Sequence, residues 1–143
     1  MKYLIRKSVI LAMLFAAMLL LAACIPTDEA KTQANELLTC LSEGDYEGAS
    51  SYMHPDFAIT PDLMLETVNE YAKAGADLAV GIDKISYNSI ESSYYDSDVD
   101  GKHLVLGGKV TLSDGTKFDI TFEFIDNDGG YGISRFSASN FSK

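Results

Sequence analysis

The sequence predicts an α+β domain in which three N-terminal helices pack on a curved, four-stranded antiparallel meander. Three observations predict this fold class. Apolar residues recur at helical spacing between residues 28 and 75. From about residue 78 they alternate with polar residues, as in half-buried strands. Clusters of Asp, Asn and Gly then divide the rest of the chain into segments that can form successive hairpins.

The N-terminus has the pattern of an export signal. Residues 1–7 include three basic side chains, and Val9 to Ala23 form an unbroken apolar run of 15 residues. A basic start followed by such a run is typical of a secretory signal, whereas a membrane-spanning helix needs about 20 apolar residues. We therefore predict that residues 1–23 are removed from the mature protein.

The segment Leu21-Ala22-Ala23-Cys24 resembles the lipobox of bacterial lipoproteins, a leucine and two small residues before an invariant cysteine. The resemblance implies that the Cys24 thiol takes a diacylglyceryl group and that a signal peptidase cuts before it. Each buried methylene adds about 0.8 kcal/mol, so two or three acyl chains anchor a protein firmly. We expect a protein held on a cell membrane or cell envelope, facing outside the cytoplasm. An ordinary signal peptide with a chance cysteine is the alternative.

The mature chain is strongly acidic. After residue 23 it keeps eight basic and 21 acidic residues, a net charge of −13. This charge disfavours nucleic acid and anionic lipid headgroups, which Lys and Arg normally bind. The remaining 120 residues fit one domain over residues 28–143, after a lipidated cysteine and short tether at 24–27.

The first helix is predicted from Thr27, as its N-cap, to Ser42 or Glu43. Asp28 and Glu29 suit the positive end of the helix dipole, and Gly44 provides the stop. Its apolar face comprises Ala30, Ala34, Leu37 and Leu41.

Two shorter helices follow. Asp45 caps the second, which we expect to end at Pro55 after His54. Thr60 caps the third, and Gly75 closes it. The predicted buried positions are Tyr46, Ala49 and Met53 in the second helix, and Met64, Val68, Tyr71 and Ala72 in the third.

The central strands are predicted at His103–Leu112 and Lys117–Ile125. Directly opposed residues share a face of the sheet, so the apolar even-numbered residues must pair with one another. A three-residue turn, Ser113-Asp114-Gly115, satisfies this and places Gly115 in a left-handed conformation. It pairs Leu112 with Thr116, Val110 with Phe118 and Leu106 with Phe122.

The outer strands are predicted at Leu78–Tyr95 and Tyr131–Ala138. In the first, the apolar phase slips between Ile82 and Ile85, and in the last it slips between Ile133 and Phe136. A one-residue slip indicates a β-bulge, which bends a strand. We therefore expect a curved sheet with the helices in its concave face.

Three segments resemble the nuclear-transport-factor-2-like, or cystatin-like, superfamily, in particular its small uncharacterised lipoproteins. They read LSEGDYEGA over residues 41–49, YMHPDF over 52–57 and GYGISRF over 130–136. The resemblance spans roughly residues 28–138. It implies a cystatin-like roll with a cone-shaped cavity between sheet and helices, which relatives use for small ligands, for catalysis or for protein association.

A calcium site is a candidate at Asp96, Asp98 and Asp100. With Gly101 they match the first half of a D-x-D-x-D-G loop, whose alternate oxygens can converge on a hard cation. The twelfth position is Gly107 rather than a bidentate Glu. A solvated hairpin loop is the favoured interpretation, with calcium as the alternative, and we expect no other cofactor.

Other candidate residues each have a structural explanation. His54 and Asp56 could form an acid/base pair at a cavity mouth, but a histidine at a helix C-terminus also suits the helix dipole. Tyr71 and Tyr87 could contact a ligand, but their spacing equally suits the core. Cys40 is interpreted as a small buried apolar residue.

The function expected from these observations is a non-catalytic, surface-tethered domain that binds a small molecule or an envelope protein. A small enzyme that uses the cavity is one alternative. A module that dimerises through the open sheet face is another.

Overall fold

The computed structural model describes residues 25–95 and 101–143. Within these two ranges, three α-helices precede one antiparallel sheet in which the strands lie in chain order. The helices are α1 (Thr27–Glu43), α2 (Tyr46–Ser51) and α3 (Pro61–Lys73), and the strands are β1 (Ile82–Tyr95), β2 (Gly101–Leu112), β3 (Lys117–Asn127) and β4 (Gly130–Ser142). Short 3-10 turns span Pro55–Phe57 and Leu78–Val80. The predicted fold class is confirmed.

Helix α1 follows the predicted face and stop. Gly44 has a φ of +76°, and the Asp45 N–H donates to the Cys40 carbonyl at 2.9 Å. This bond gives a carbonyl of the last helical turn a hydrogen-bond partner. The prediction of Thr27 as N-cap is wrong by one residue. Pro26 takes that position in an extended conformation without a side-chain cap, and Thr27 is the first helical residue.

Helix α2 ends earlier than predicted, at Ser51 rather than before Pro55. Residues 52–54 instead run beside β4. The Ile133 N–H donates to the Tyr52 carbonyl at 2.9 Å, and the His54 N–H donates to the Ile133 carbonyl at 2.8 Å. Strand pairing with a distant segment therefore replaces the last helical turn.

Helix α3 begins as predicted, since the Thr60 hydroxyl accepts a hydrogen bond from the Leu63 N–H at 3.3 Å. Its buried side chains are Met64, Val68 and Tyr71. Ala72, which we assigned to the buried face, is exposed. The chain turns at Gly75, which has a φ of +105°.

The predicted pairing of the central strands is confirmed. Val110 lies opposite Phe118, and Leu106 lies opposite Phe122. The Leu112 N–H donates to the Thr116 carbonyl at 2.8 Å, and Gly115 has a φ of +87°. The hairpin therefore has the predicted three-residue turn, whose odd length keeps the apolar residues on one face.

Replacing Gly115 with valine should lower the free energy of unfolding by about 1 kcal/mol or more, because a β-branched side chain strains a left-handed position. No atom lies within 4 Å of the site for a Cβ, so the cost comes from the backbone and not from a clash. Thermal unfolding measures it, with Ser113→Val in the same turn as the control. An unchanged melting temperature in Gly115→Val would contradict this account of the turn.

Strand β1 begins at Ile82, later than predicted. Residues 78–80 form a 3-10 turn, because the Asp77 carboxylate accepts from the Ala79 N–H at 3.0 Å. The pairing of β1 with β2 then shifts register between Ile82 and Lys84 and again between Tyr87 and Ser89. The predicted irregularity in this strand is therefore present, with a second one beyond it.

Strand β4 is longer than predicted and continues to Ser142. Its pairing with β3 shifts between Glu123 and Phe124, which matches the predicted slip after Ile133. The extension carries Phe141, whose ring lies 6.0 Å from that of Tyr71 and 5.6 Å from that of Phe118 between centroids. The C-terminal segment is therefore tied to the core.

The core lies between the helices and one face of the sheet. That face carries the even-numbered apolar residues of β2 and β3, which are almost fully buried. They are Leu104, Leu106, Val110, Leu112, Phe118, Ile120, Phe122 and Phe124. The opposite face, called here the outer face, carries ion pairs such as Lys109 with Asp119 and Arg135 with Glu123.

Candidate functional site

His54 is the one histidine buried to 0% exposure among the described residues. His54 lies at the end of the sheet, because residues 52–54 pair with β4 and the 3-10 turn Pro55–Phe57 begins directly after His54. The helix-dipole explanation for His54 is wrong, since α2 already ends at Ser51. His54 instead caps the Pro55–Phe57 turn.

Both nitrogens of the His54 ring are hydrogen-bonded. Nδ1 accepts from the Asp56 backbone N–H at 3.1 Å, so this nitrogen carries no proton. The proton is therefore on Nε2, which faces the Asn127 Oδ1 at 2.9 Å and the Gly130 carbonyl at 3.0 Å. The ring is a neutral imidazole that joins the 3-10 turn to the β3–β4 turn.

The structure brings the candidate pair together, with His54 Nδ1 and Asp56 Oδ2 3.9 Å apart. The Asp56 side chain is 60% exposed, whereas His54 is sealed from solvent. Neither ring nitrogen has a lone pair left to take a proton from a substrate. This geometry suits a structural histidine.

Gly132 makes the approach of the His54 segment possible. A Cβ built on Gly132 would lie 2.6 Å from the His54 backbone nitrogen and 2.8 Å from its Cα. In the sequence, the only indication of this close approach is a glycine within a predicted strand, which often marks a place where another backbone comes close. The partner segment could not be read from it.

The two candidate ligand-contacting tyrosines are used in packing. Tyr71 is 9% exposed, and its ring lies 6.4 Å from that of Phe118. Burial raises the pKa of Tyr71 to about 12. The Tyr87 hydroxyl donates to the Asn35 Oδ1 at 2.7 Å, which ties β1 to α1, and burial raises its pKa. Both side chains therefore have structural partners.

A polar groove of about 370 Å³ lies beside the second irregularity of β1, over Gly107 and Gly108. Asp119, one of its lining residues, accepts from the Asn140 side-chain amide at 2.6 Å and pairs with the Lys109 amine at 3.1 Å. These two partners hold the pKa of Asp119 below its ordinary value. The other lining residues are Asn88, Ser89, Lys109, Ile120 and Thr121.

This groove offers hydroxyl, amide and charged groups to a small polar molecule. Sequence reasoning missed it, because its lining comes from three strands and only their register brings the residues together. The glycine pair in β2 was the available signal, since glycine within a strand often marks a close approach.

Cys40 lies half-buried on α1 near three carboxylates. Burial raises the pKa of its thiol, and Asp45, Glu43 and Glu36 raise it further. The protonated thiol is thus favoured, which disfavours a reactive role. The predicted burial of this side chain is only partial.

Several predicted site residues lie outside the described residues. Cys24 precedes them, and Asp96, Asp98 and Asp100 fall between the two described ranges. Within residues 25–95 and 101–143, no three His, Cys, Asp or Glu side chains are grouped so as to hold a metal ion. In the same part of the chain, no helix is both long and apolar enough to cross a membrane.

Similarity to known proteins is found among solved structures. No protein-family model matches the chain. No curated protein sequence matches it either. Among solved structures, it is similar to an NTF2-like protein from Cytophaga hutchinsonii ATCC 33406, with 11% sequence identity and a TM-score of 0.48. The match covers 80% of this chain and 98% of the other.

Proposed function

We propose that this chain is the precursor of a lipid-anchored bacterial lipoprotein whose domain is a non-catalytic binding or accessory module of the cell envelope. The observation that carries the proposal is the position of Cys24. It ends the lipobox-like segment, and the next residue, Ile25, is already 2% exposed in the core. Cleavage before Cys24 would leave the folded domain intact, and the lipid on Cys24 would lie one residue before its core.

The buried polar groups support a non-catalytic role. Among the described residues, the buried polar side chains are His54 and Thr116. An enzyme needs an acid or base whose reactive atom can reach the substrate. Both nitrogens of His54 are already engaged within the protein.

The distribution of exposed apolar residues disfavours dimerisation through the outer face. The large exposed apolar side chains of the described residues lie on 3-10 turns, on α3 or on the core face of β1. They are Phe57, Leu63, Leu65, Val80 and Ile90, of which Ile90 pairs with the buried Leu106. A dimer interface on the outer face would need an apolar patch there.

Replacing Cys24 with serine should abolish incorporation of fatty-acid label and leave the unprocessed precursor, because the lipid-adding enzyme requires the thiol. Metabolic labelling followed by gel analysis measures both effects. Cys40→Ser is the matched control, since it removes the other cysteine and should leave labelling intact. Persistent label in the Cys24→Ser protein would refute the lipid attachment.

A further inference from the structure

The polar groove lies on the outer face of the sheet, on the side away from the core. Ser89, Gly107 and Thr121 are neighbours in one row across β1, β2 and β3, and Lys109 lies opposite Asp119 in the next row of that face. Gly107 makes room in the first row, because a Cβ built there would overlap the Ser89 hydroxyl oxygen. The groove is therefore a gap between polar side chains that has glycine backbone as its floor.

Two β-bulges flank the groove. In β1, the register shifts between Tyr87 and Ser89, so Asn88 is an extra residue, and it lines the groove. In β4, the pairing with β3 shifts beside Asp119, and Asn140 in this stretch has a φ of +55°. The Asn140 side-chain amide donates to the Asp119 carboxylate at 2.6 Å. Bulges are over-represented next to active sites, where they re-aim side chains. Here each bulge places an amide in the groove or against its carboxylate.

The groove contains hydrogen-bonding groups that the domain itself leaves free. Within residues 25–95 and 101–143, the side chains of Asn88, Ser89 and Thr121 make no hydrogen bond to another residue. The Lys109 amine and the Asp119 carboxylate lie 3.1 Å apart, and their side chains are 52% and 37% exposed. This ion pair therefore offers a donor and an acceptor side by side, with hydroxyls and an amide next to them.

The charges of the groove favour an uncharged ligand. Lys109 and Asp119 neutralise each other, and the other lining residues of the described chain carry no charge. The net charge of −13 on the mature chain further disfavours an anion. A hydroxyl group can both donate and accept a hydrogen bond. Adjacent hydroxyls of one sugar ring can therefore donate to Asp119 and accept from Lys109 at the same time.

We propose that the polar groove binds a neutral, hydroxyl-rich small molecule, represented by a single sugar ring. This inference rests on the proposed binding role of the domain and adds the site and the ligand class. The volume of about 370 Å³ lies at the lower end of the range of about 300–1,000 Å³ for small-molecule sites, which suits one small ring. The lining residues in the described chain include no aromatic side chain on which a sugar could stack. We therefore expect weak binding with rapid exchange.

Saturation-transfer NMR tests the site, because it detects weak binding through the signals of the ligand. The probes are glucose and maltotriose, since a free sugar and a sugar unit of a glycan present the same hydroxyls. The full chain is studied in a phosphocholine detergent, which contributes no sugar. We expect saturation transfer from the protein to the sugar protons. The probe that receives the stronger transfer identifies which of the two sources the groove prefers.

Replacing Asp119 with alanine should weaken sugar binding about tenfold or more, because it removes a charge-assisted hydrogen bond. Glu123→Ala is the matched control, since it removes the carboxylate of another ion pair on the outer face of β3, outside the groove. This control should bind sugar as the wild type does. Thr121→Ala should weaken binding by a smaller factor, and it serves as the groove variant if Asp119→Ala melts at a lower temperature than the wild type.

No saturation transfer to sugar in the wild type, or equal transfer in the wild type and both groove variants, would overturn the proposal. Displacement of glucose by sodium sulfate but not by sodium chloride at the same ionic strength would also overturn it, because that result indicates an anion site. The same spectra test the proposed function separately. New sugar signals that grow with time would mean a catalysed reaction and refute the non-catalytic role, whereas unchanged sugar without saturation transfer refutes only the sugar site.

Discussion

Replacing His54 with alanine should lower the free energy of unfolding by about 3 kcal/mol or more. The change removes a fully buried ring and takes the His54 partner from two backbone groups, at about 1–3 kcal/mol for each buried group left unsatisfied. These groups are the Asp56 N–H and the Gly130 carbonyl, whereas the Asn127 side-chain oxygen keeps its hydrogen bond from the Gly129 N–H. Since domains are stable by about 5–15 kcal/mol, urea or thermal unfolding will show the loss clearly.

Two conservative variants separate the contributions of the two ring nitrogens to this loss of stability. His54→Asn keeps an acceptor near the position of Nδ1 and should preserve the cap on the Asp56 N–H. His54→Gln keeps a donor near the position of Nε2 and should preserve the link to Asn127. Each should lie between wild type and alanine. Wild-type stability in His54→Ala would contradict a structural role, and a gain in stability would be typical of a catalytic residue.

Replacing Phe122 with alanine should cost about 3–5 kcal/mol, because it opens a cavity in the centre of the core. Phe122 is 0% exposed, and its ring lies 6.2 Å from that of Phe136 and 6.5 Å from that of Phe124 between centroids. For a domain of this size, each kcal/mol corresponds to a change of roughly 4 °C in Tm. Calorimetry should therefore find that Phe122→Ala lowers Tm by more than about 10 °C.

Thr121→Ala is the matched control, on the neighbouring residue of the same strand and on the outer face. It should change the free energy of unfolding by less than about 1 kcal/mol. Equal costs for Thr121→Ala and Phe122→Ala would mean that the two faces of β3 are wrongly assigned.

The parts of the fold that sequence predicted depend on local signals. Asp45 and Thr60 cap α2 and α3, and Gly44 and Gly75 follow the ends of α1 and α3, because each acts on backbone groups within a few residues. The register of β2 with β3 also follows from local pattern. Because the apolar residues must share a face, a two-residue turn is excluded, and a three-residue turn places Gly115 where a left-handed residue is needed.

The errors arise where distant segments meet. Helix α2 stops at Ser51 because residues 52–54 pair with β4. The sequence around Ser51 has no local signal that indicates this pairing. The last strand was predicted to end at Ala138, yet it continues to Ser142, and Phe141 in the added part packs against Tyr71. The apolar periodicity of a segment does not show which distant segment it will pair with.

The candidate site shows the same division. The sequence singled out His54 and Asp56, and the structure places them together. The partners that occupy the His54 ring, Asn127 and Gly130, are more than 70 residues away and could not be read from the spacing. The polar groove went unnoticed for the same reason, since three strands contribute its lining.

Intact-mass and N-terminal analysis of the mature protein from the membrane fraction tests the lipid anchor most directly. We predict a protein that begins at Cys24, with a diacylglyceryl group on its thiol and a total of two or three acyl chains. A mature protein that begins at any other residue, or that begins at Cys24 with an unmodified thiol, would contradict the lipid anchor.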